Sequence, residues 1–191
     1  VQKDGIGFGG QLGIFADDHV EGLTRLASGL KRHGTHAVAQ LYHGGMRSPR
    51  TLLARPPQCP SDDTETGARA MTPDEIAIAL ADFIEAARRA QRAGFDGVEI
   101  HGAHGYLVCQ FLSPEINRRD DEFGGSLEHR SRFLFDIVNG VRAACGPRFS
   151  LGVRLSPERF GMRLDEIRAV AARLMAEGRI DYLDLSLWDV F

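Results

Sequence analysis

Apolar side chains along this chain switch repeatedly between helical and strand spacing. Val20, Leu23, Leu26 and Leu30 mark one face of a helix over residues 18–33, with Asp17 and Asp18 at its start and Gly34 after its last turn. The apolar run 37–42 then predicts a buried parallel strand opening into His43-Gly44-Gly45. Thr72-Pro73-Asp74-Glu75 is a capping-box helix start with proline at the first helical position, and Ile76, Leu80, Phe83 and Ala87 trace the face that follows down to Gly94. A strand is predicted at 96–101 and a helix from Ser126 carrying Leu127, Leu134, Ile137 and Val141, stopped by Gly146-Pro147. Another strand follows at 149–155, then a helix through Leu164, Ile167, Val170, Ala171 and Leu174 to Gly178, and a last strand at 181–187. The stretch 46–71 holds Pro49, Pro56, Pro57 and Pro60 among small polar residues and predicts a long surface loop.

Strand and helix alternating in this way specify parallel βαβ units with right-handed crossovers. The fold class is α/β, either an open doubly wound sheet or a closed (β/α)8 TIM barrel. Strand ends carrying Gln40, His101, Arg154 and then Trp188 favour the barrel, because a doubly wound sheet concentrates its site at one switch point. Four strands are visible where a barrel needs eight and at least ~200 residues. The expectation is therefore a partial barrel, with about four central βα units present.

Composition narrows the function classes. The chain has 191 residues, 43% hydrophobic and 26% charged, which is enough apolar matter for a core. Its formal net charge is −3, and the only lysines are Lys3 and Lys31, so no basic block points to nucleic acid. No window approaches the ~20 apolar residues of a membrane span, and no secretion signal opens the chain, which starts at Val1 and reads as beginning within a longer text. Cys59, Cys109 and Cys145 form no C-x-x-C pair, which argues against a disulfide framework or a zinc ribbon and for a reducing, cytoplasmic setting.

The densest chemistry lies in Glu99-Ile100-His101-Gly102-Ala103-His104-Gly105-Tyr106. Two imidazoles and a phenol at a glycine-flanked strand end can converge on one polar atom. His101 and His104 can donate to a carbonyl oxygen that becomes negative, and Tyr106 offers a phenol as proton donor. Each has a bland alternative, a satisfied core histidine or a packed tyrosine. A metal held by His101, His104, Glu99 and His43 is a weaker use, since His104 lies past the strand end and no helical HExxH is present. Arg154, at another strand end, needs an anionic partner, either a ligand that develops negative charge or a neighbouring carboxylate such as Glu99. Gln40 offers a donor and an acceptor suited to the edge of a heterocycle, or fills a layer satisfied by backbone. Gly5-Ile6-Gly7-Phe8-Gly9-Gly10 matches G-x-G-x-x-G but follows no strand and opens no helix, so it is expected to be a flexible loop.

The block GFDGVEIHGAHGYLVCQFLSPEINRRDDEFGGSLEHRSRFLFDIV, with AVAQLYHGG before it and GVRLSP after it, resembles the Old Yellow Enzyme family of NADH:flavin oxidoreductases. The resemblance implies that residues 1–191 are the central part of a single FMN-binding (β/α)8 barrel domain whose N- and C-terminal strands lie outside this stretch. It further implies FMN as cofactor, with Gln40 and Arg154 binding it, and NADH or NADPH as reductant. By the same resemblance His101 and His104 hold the carbonyl of an α,β-unsaturated small-molecule substrate. Hydride then arrives from flavin N5 and Tyr106 protonates the neighbouring carbon. A homo-oligomer is compatible with it. Three positions depart from the family pattern: Met46 separates Gly45 from Arg47, Phe123 stands where tyrosine is common, and His129 where asparagine is. The loops that hold the FMN phosphate in the family belong to later strands. The competing expectation is a half-barrel without flavin that pairs with another chain through its open sheet edges. A lyase or hydrolase on the same barrel is the third.

Overall fold

The computed structural model describes residues 1–187. Its helices are α1 (Val20–Lys31), α2 (Pro73–Arg92), α3 (Leu107–Leu112), α4 (Leu127–Cys145) and α5 (Leu164–Ala176). Its strands are β1 (Val38–Leu41), β2 (Gln58–Cys59), β3 (Arg69–Ala70), β4 (Gly97–Gly102), β5 (Ser150–Leu155) and β6 (Tyr182–Leu185). Four of these strands form one parallel sheet in the order β1-β4-β5-β6. Spatial order follows chain order throughout, with α2, α4 and α5 as the crossovers. No reversal, and so no switch point, occurs among the described strands, as in a segment of a barrel wall.

Strand alternation divides the sheet chemically. Val98 and Ile100 of β4 and Leu151, Val153 and Leu155 of β5 are buried in the apolar core against the helices. There Phe133 stacks on Phe111 at 4.4 Å between centroids and meets Phe83 edge-on at 6.2 Å. The opposite face carries Gln40, Glu99, His101, Arg154, Tyr182 and Asp184. Gly152 has no side chain to add there because the Tyr182 ring occupies the place; a Cβ would lie 2.0 Å from Tyr182 Cζ.

The capping box read from sequence forms, and the helix start at Ser126 proves to be capped as well. Glu75 N–H donates to Thr72 Oγ1 and Thr72 N–H to Glu75 Oε2 at the start of α2. Ser126 Oγ accepts from His129 N–H at the start of α4. At the bottom of the sheet Asp96 Oδ2 accepts from Ala37 N–H, and Asp181 Oδ2 from Leu151 N–H, each tying one strand to the next.

Several boundaries differ. The first helix opens with a 3₁₀ turn, Asp17–His19, before α1. The last strand is confined to Tyr182–Leu185, and Trp188 lies outside the described residues. The stretch 46–71 is an ordered layer, with 3₁₀ turns at Gly45–Arg47 and Arg50–Leu52 and the β2–β3 pair. It is tied down by partners far along the chain. Arg119 donates to the carbonyls of Pro60 and Met71, and Arg118 N–H to Ser61 Oγ. Short α3 has no counterpart among the predicted elements.

Candidate active site

The carboxyl ends of β1, β4 and β5 converge on one open cavity of about 440 Å³. Gln40, His101, His104, Tyr106 and Arg154, the five residues singled out in the sequence, all line it. Strand register brings three of them together: Gln40 neighbours Glu99, and His101 neighbours Arg154. After β4 the chain turns sharply at His104, whose φ of 60° is in the left-handed region and whose N–H donates to Ser156 Oγ. That turn folds the His104 ring back edge-on to His101, 4.8 Å between centroids, with the Tyr106 ring 5.0 Å from His101.

Both imidazoles are held neutral. His101 is 4% exposed, and burial, with His104 and Arg154 adding repulsion, pushes its pKa down to about 3. Ala103 N–H donates to His101 Nδ1, which assigns the ring proton to Nε2. His104 is also lowered, by burial first and then by Arg154 and Arg47, and its Nε2 shares a 2.6 Å hydrogen bond with Ser186 Oγ. Burial likewise pushes His43 down to about 3; its Nδ1 accepts from Gly45 N–H.

Arg154 finds its counter-charge on the other side from the one the sequence suggested. Its Nε lies 3.0 Å from Asp184 Oδ2 but donates no hydrogen bond, while Nη2 donates to Ser186 Oγ at 3.4 Å. Glu99 is engaged instead by Gln40, whose Nε2 donates to Glu99 Oε1 at 2.7 Å. The Gln40 amide N–H is thus taken up by a side chain, where backbone was the alternative. Among the described residues no three histidines, cysteines or carboxylates gather as a metal site.

Five further residues line the cavity that the sequence did not assign to it: Gly7 and Phe8 of the expected flexible loop, Gln11, Tyr42, and Arg47, the position displaced by Met46. The glycine-rich segment near the amino end therefore forms part of the cavity rim, with Gly44 N–H donating to Gly5 O and Gly7 N–H to Gln11 Oε1. Tyr42 sits edge-on to Tyr106 at 4.5 Å, and burial together with Tyr106 pushes its phenol up to about 12. Arg47, beyond the interposed Met46, reaches the site nonetheless: its guanidinium lies 5.6 Å from the Tyr106 ring centroid. Tyr42 and Arg47 sit next to the predicted strand end, and that proximity was the one signal available.

With this cavity in view, comparison with known proteins is decisive: residues 1–190 match the profile of the NADH:flavin oxidoreductase / NADH oxidase family. The chain belongs to that family. It is 42% identical over 201 residues to a probable NADH-dependent flavin oxidoreductase, YqiG, of Bacillus subtilis (strain 168), covering 100% of this chain and 54% of the relative. It is 42% identical over 180 residues to an NADPH dehydrogenase of Geobacillus sp. (strain WCH70), covering 92% of this chain and 52% of that one. Among solved structures, the old yellow enzyme homologue from Zymomonas mobilis superposes with a TM-score of 0.90 at 34% identity, over 100% of this chain and 58% of that chain. The chain thus spans about half the length of the curated relatives it matches, which agrees with a partial barrel in this flavin oxidoreductase family. No described helix is long and apolar enough to cross a membrane.

The residues present fit the edge of a flavin ring. Arg154 Nε is a buried donor without an acceptor, and among the described residues nothing donates to Gln40 Oε1. A fixed cation and an amide on the same concave face suit a ring edge that both donates and accepts and that gains negative charge on reduction.

Proposed function

We propose that this chain carries the central βα units of one FMN-binding (β/α)8 barrel whose reaction is the NAD(P)H-driven reduction of the C=C bond of α,β-unsaturated carbonyl compounds. The observation that carries this reading is the convergence of two neutral imidazoles, a phenol, an amide and a guanidinium on one cavity at the strand ends. FMN, reduced by NADH or NADPH, supplies the hydride. Gln40 and Arg154 would hold its pyrimidine edge, and the Arg154 charge stabilises negative charge there.

His101 Nε2–H is placed to donate to the substrate carbonyl. Because the ring is neutral it polarises that oxygen without surrendering a proton to it, and the donor is already oriented by the Ala103 N–H bond. His104 supplies the second contact, its ring held by Ser186. Tyr106 lies against His101, so a carbonyl bound there presents the adjacent carbon to the phenol, which delivers the proton.

The test separates the two half-reactions by stopped-flow absorbance. Tyr106→Phe in the FMN-loaded protein should slow reoxidation of reduced flavin by an enone by about 10²-fold or more, the usual worth of a general acid, and leave flavin reduction by NADPH nearly unchanged. Equal loss in both half-reactions removes Tyr106 from this role.

A further inference from the structure

The cavity wall carries two guanidiniums and, among its lining residues, no carboxylate. Arg154 has Asp184 at 3.0 Å to meet its charge. Arg47 has nothing equivalent: among the described residues it has neither an ion-pair partner nor an acceptor for its side-chain N–H groups. What holds it is aromatic. Its guanidinium lies 5.6 Å from the Tyr106 centroid and 5.7 Å from that of Phe160.

Phe160 is itself placed at a cost. Arg159 and Phe160 both have positive φ, 67° and 55°, before Gly161 at 70°. Consecutive non-glycine residues in that region persist only where their surroundings hold them, and such strain gathers at ligand clamps. Here the Phe160 ring packs over Gly105, where a Cβ would come within 2.9 Å of its Cδ1. Arg47 Cζ thus lies over two aromatic rings, neither of which accepts its N–H donors as a charged group would, and those donors are left for an anionic acceptor in the cavity. The two imidazoles that complete this wall are neutral, so they offer an anion no opposing charge.

We propose that Arg47 makes the cavity selective for unsaturated carbonyl substrates that carry a second, anionic group, a carboxylate, which the guanidinium binds beside Tyr106. The proposal rests on the enone-reducing reading above and adds a substrate class to it. The probes are cinnamaldehyde and 4-carboxycinnamaldehyde, which present the same reacting bond with and without a remote carboxylate, tested on the full-length, FMN-loaded protein. Arg47→Gln should lower the ratio of kcat/KM for the acid over the neutral aldehyde by about tenfold, the scale of one charge-assisted hydrogen bond, and Arg47→Lys should recover most of it. An unchanged ratio overturns the proposal. So does a rise in the KM for NADPH with the ratio intact, which assigns the charge to the nucleotide's phosphates. If NADPH bleaches the flavin but neither aldehyde is reduced, the enone reading fails instead. The saturated acid 3-(4-carboxyphenyl)propanal then still reads the site: it should bind tighter than 3-phenylpropanal to the wild type and lose that advantage in Arg47→Gln, and equal affinities would overturn the anion site.

Discussion

Arg154 and Asp184 stand side by side on β5 and β6, with Arg154 Nε 3.0 Å from Asp184 Oδ2 at the edge of the cavity. Both side chains are about a third exposed, so the pair adds at most ~1 kcal/mol to stability and its larger effect is on the charge presented to a ligand. Asp184→Asn should leave the denaturation midpoint nearly unchanged. It should also raise the two-electron reduction potential of bound flavin, because the uncompensated Arg154 cation favours the anionic reduced ring. A spectroelectrochemical titration reads this, and a potential that stays put or falls would separate Arg154 from the flavin.

The neutral histidines make stability depend on acid. His43 and His101 each have a folded-state pKa of about 3, lowered by burial, against about 6.5 unfolded. Between these values the unfolded chain binds a proton at each site and the folded chain does not. Stability is therefore complete above about pH 6.5 and falls as pH drops toward 3, by ~2 kcal/mol per histidine at pH 5. His101→Gln should remove about one proton's worth of this slope in urea titrations run at pH 6.5 and 5.0. An identical slope in wild type and variant contradicts the assignment.

Gly152 is required by the Tyr182 ring rather than by its own backbone. Gly152→Ala brings a methyl within 2.0 Å of Tyr182 Cζ, so the ring must leave its place across the inner face, at a cost of about 1–3 kcal/mol. Adding Tyr182→Leu should recover part of that loss, and the coupling energy from the two single variants and the double measures it. Strict additivity would show that the two do not share the space.

Arg130 is buried beneath α5, donating to the carbonyls of Leu112 and Gly125 and pairing with Glu166. Glu166→Ala strands this charge and should destabilise the protein by ~3–5 kcal/mol in denaturant titrations. A loss below ~1 kcal/mol would mean that the two carbonyls suffice.

Half of the cavity's lining could be read from the chain because residues at the end of a parallel strand are neighbours in sequence as well as in space. His101, His104 and Tyr106 belong to one turn, and the left-handed conformation at His104 folds that turn onto itself. Tyr42 was not singled out, and Arg47 only as a position displaced by Met46, because their importance lies in a ring 64 and 59 residues away, Tyr106. What orders the loop 46–71 was not legible for a related reason. Its prolines and polar residues carry no periodicity, and the donors that order it, from Arg118 and Arg119, arrive from another loop.

By itself, then, the sequence determined the order and type of the main elements, the caps of α2 and α4, and the set of strand-end side chains, since all of these depend on contacts a few residues apart. Only the tertiary structure decided which partners those side chains take. Glu99 lies beside Gly152 in the register and takes Gln40 as a partner, while Arg154, two positions on, faces His101 on one side and Asp184 on the other. A shift of one residue would turn each of these side chains to the opposite face of the sheet, so register is what makes a cavity out of them.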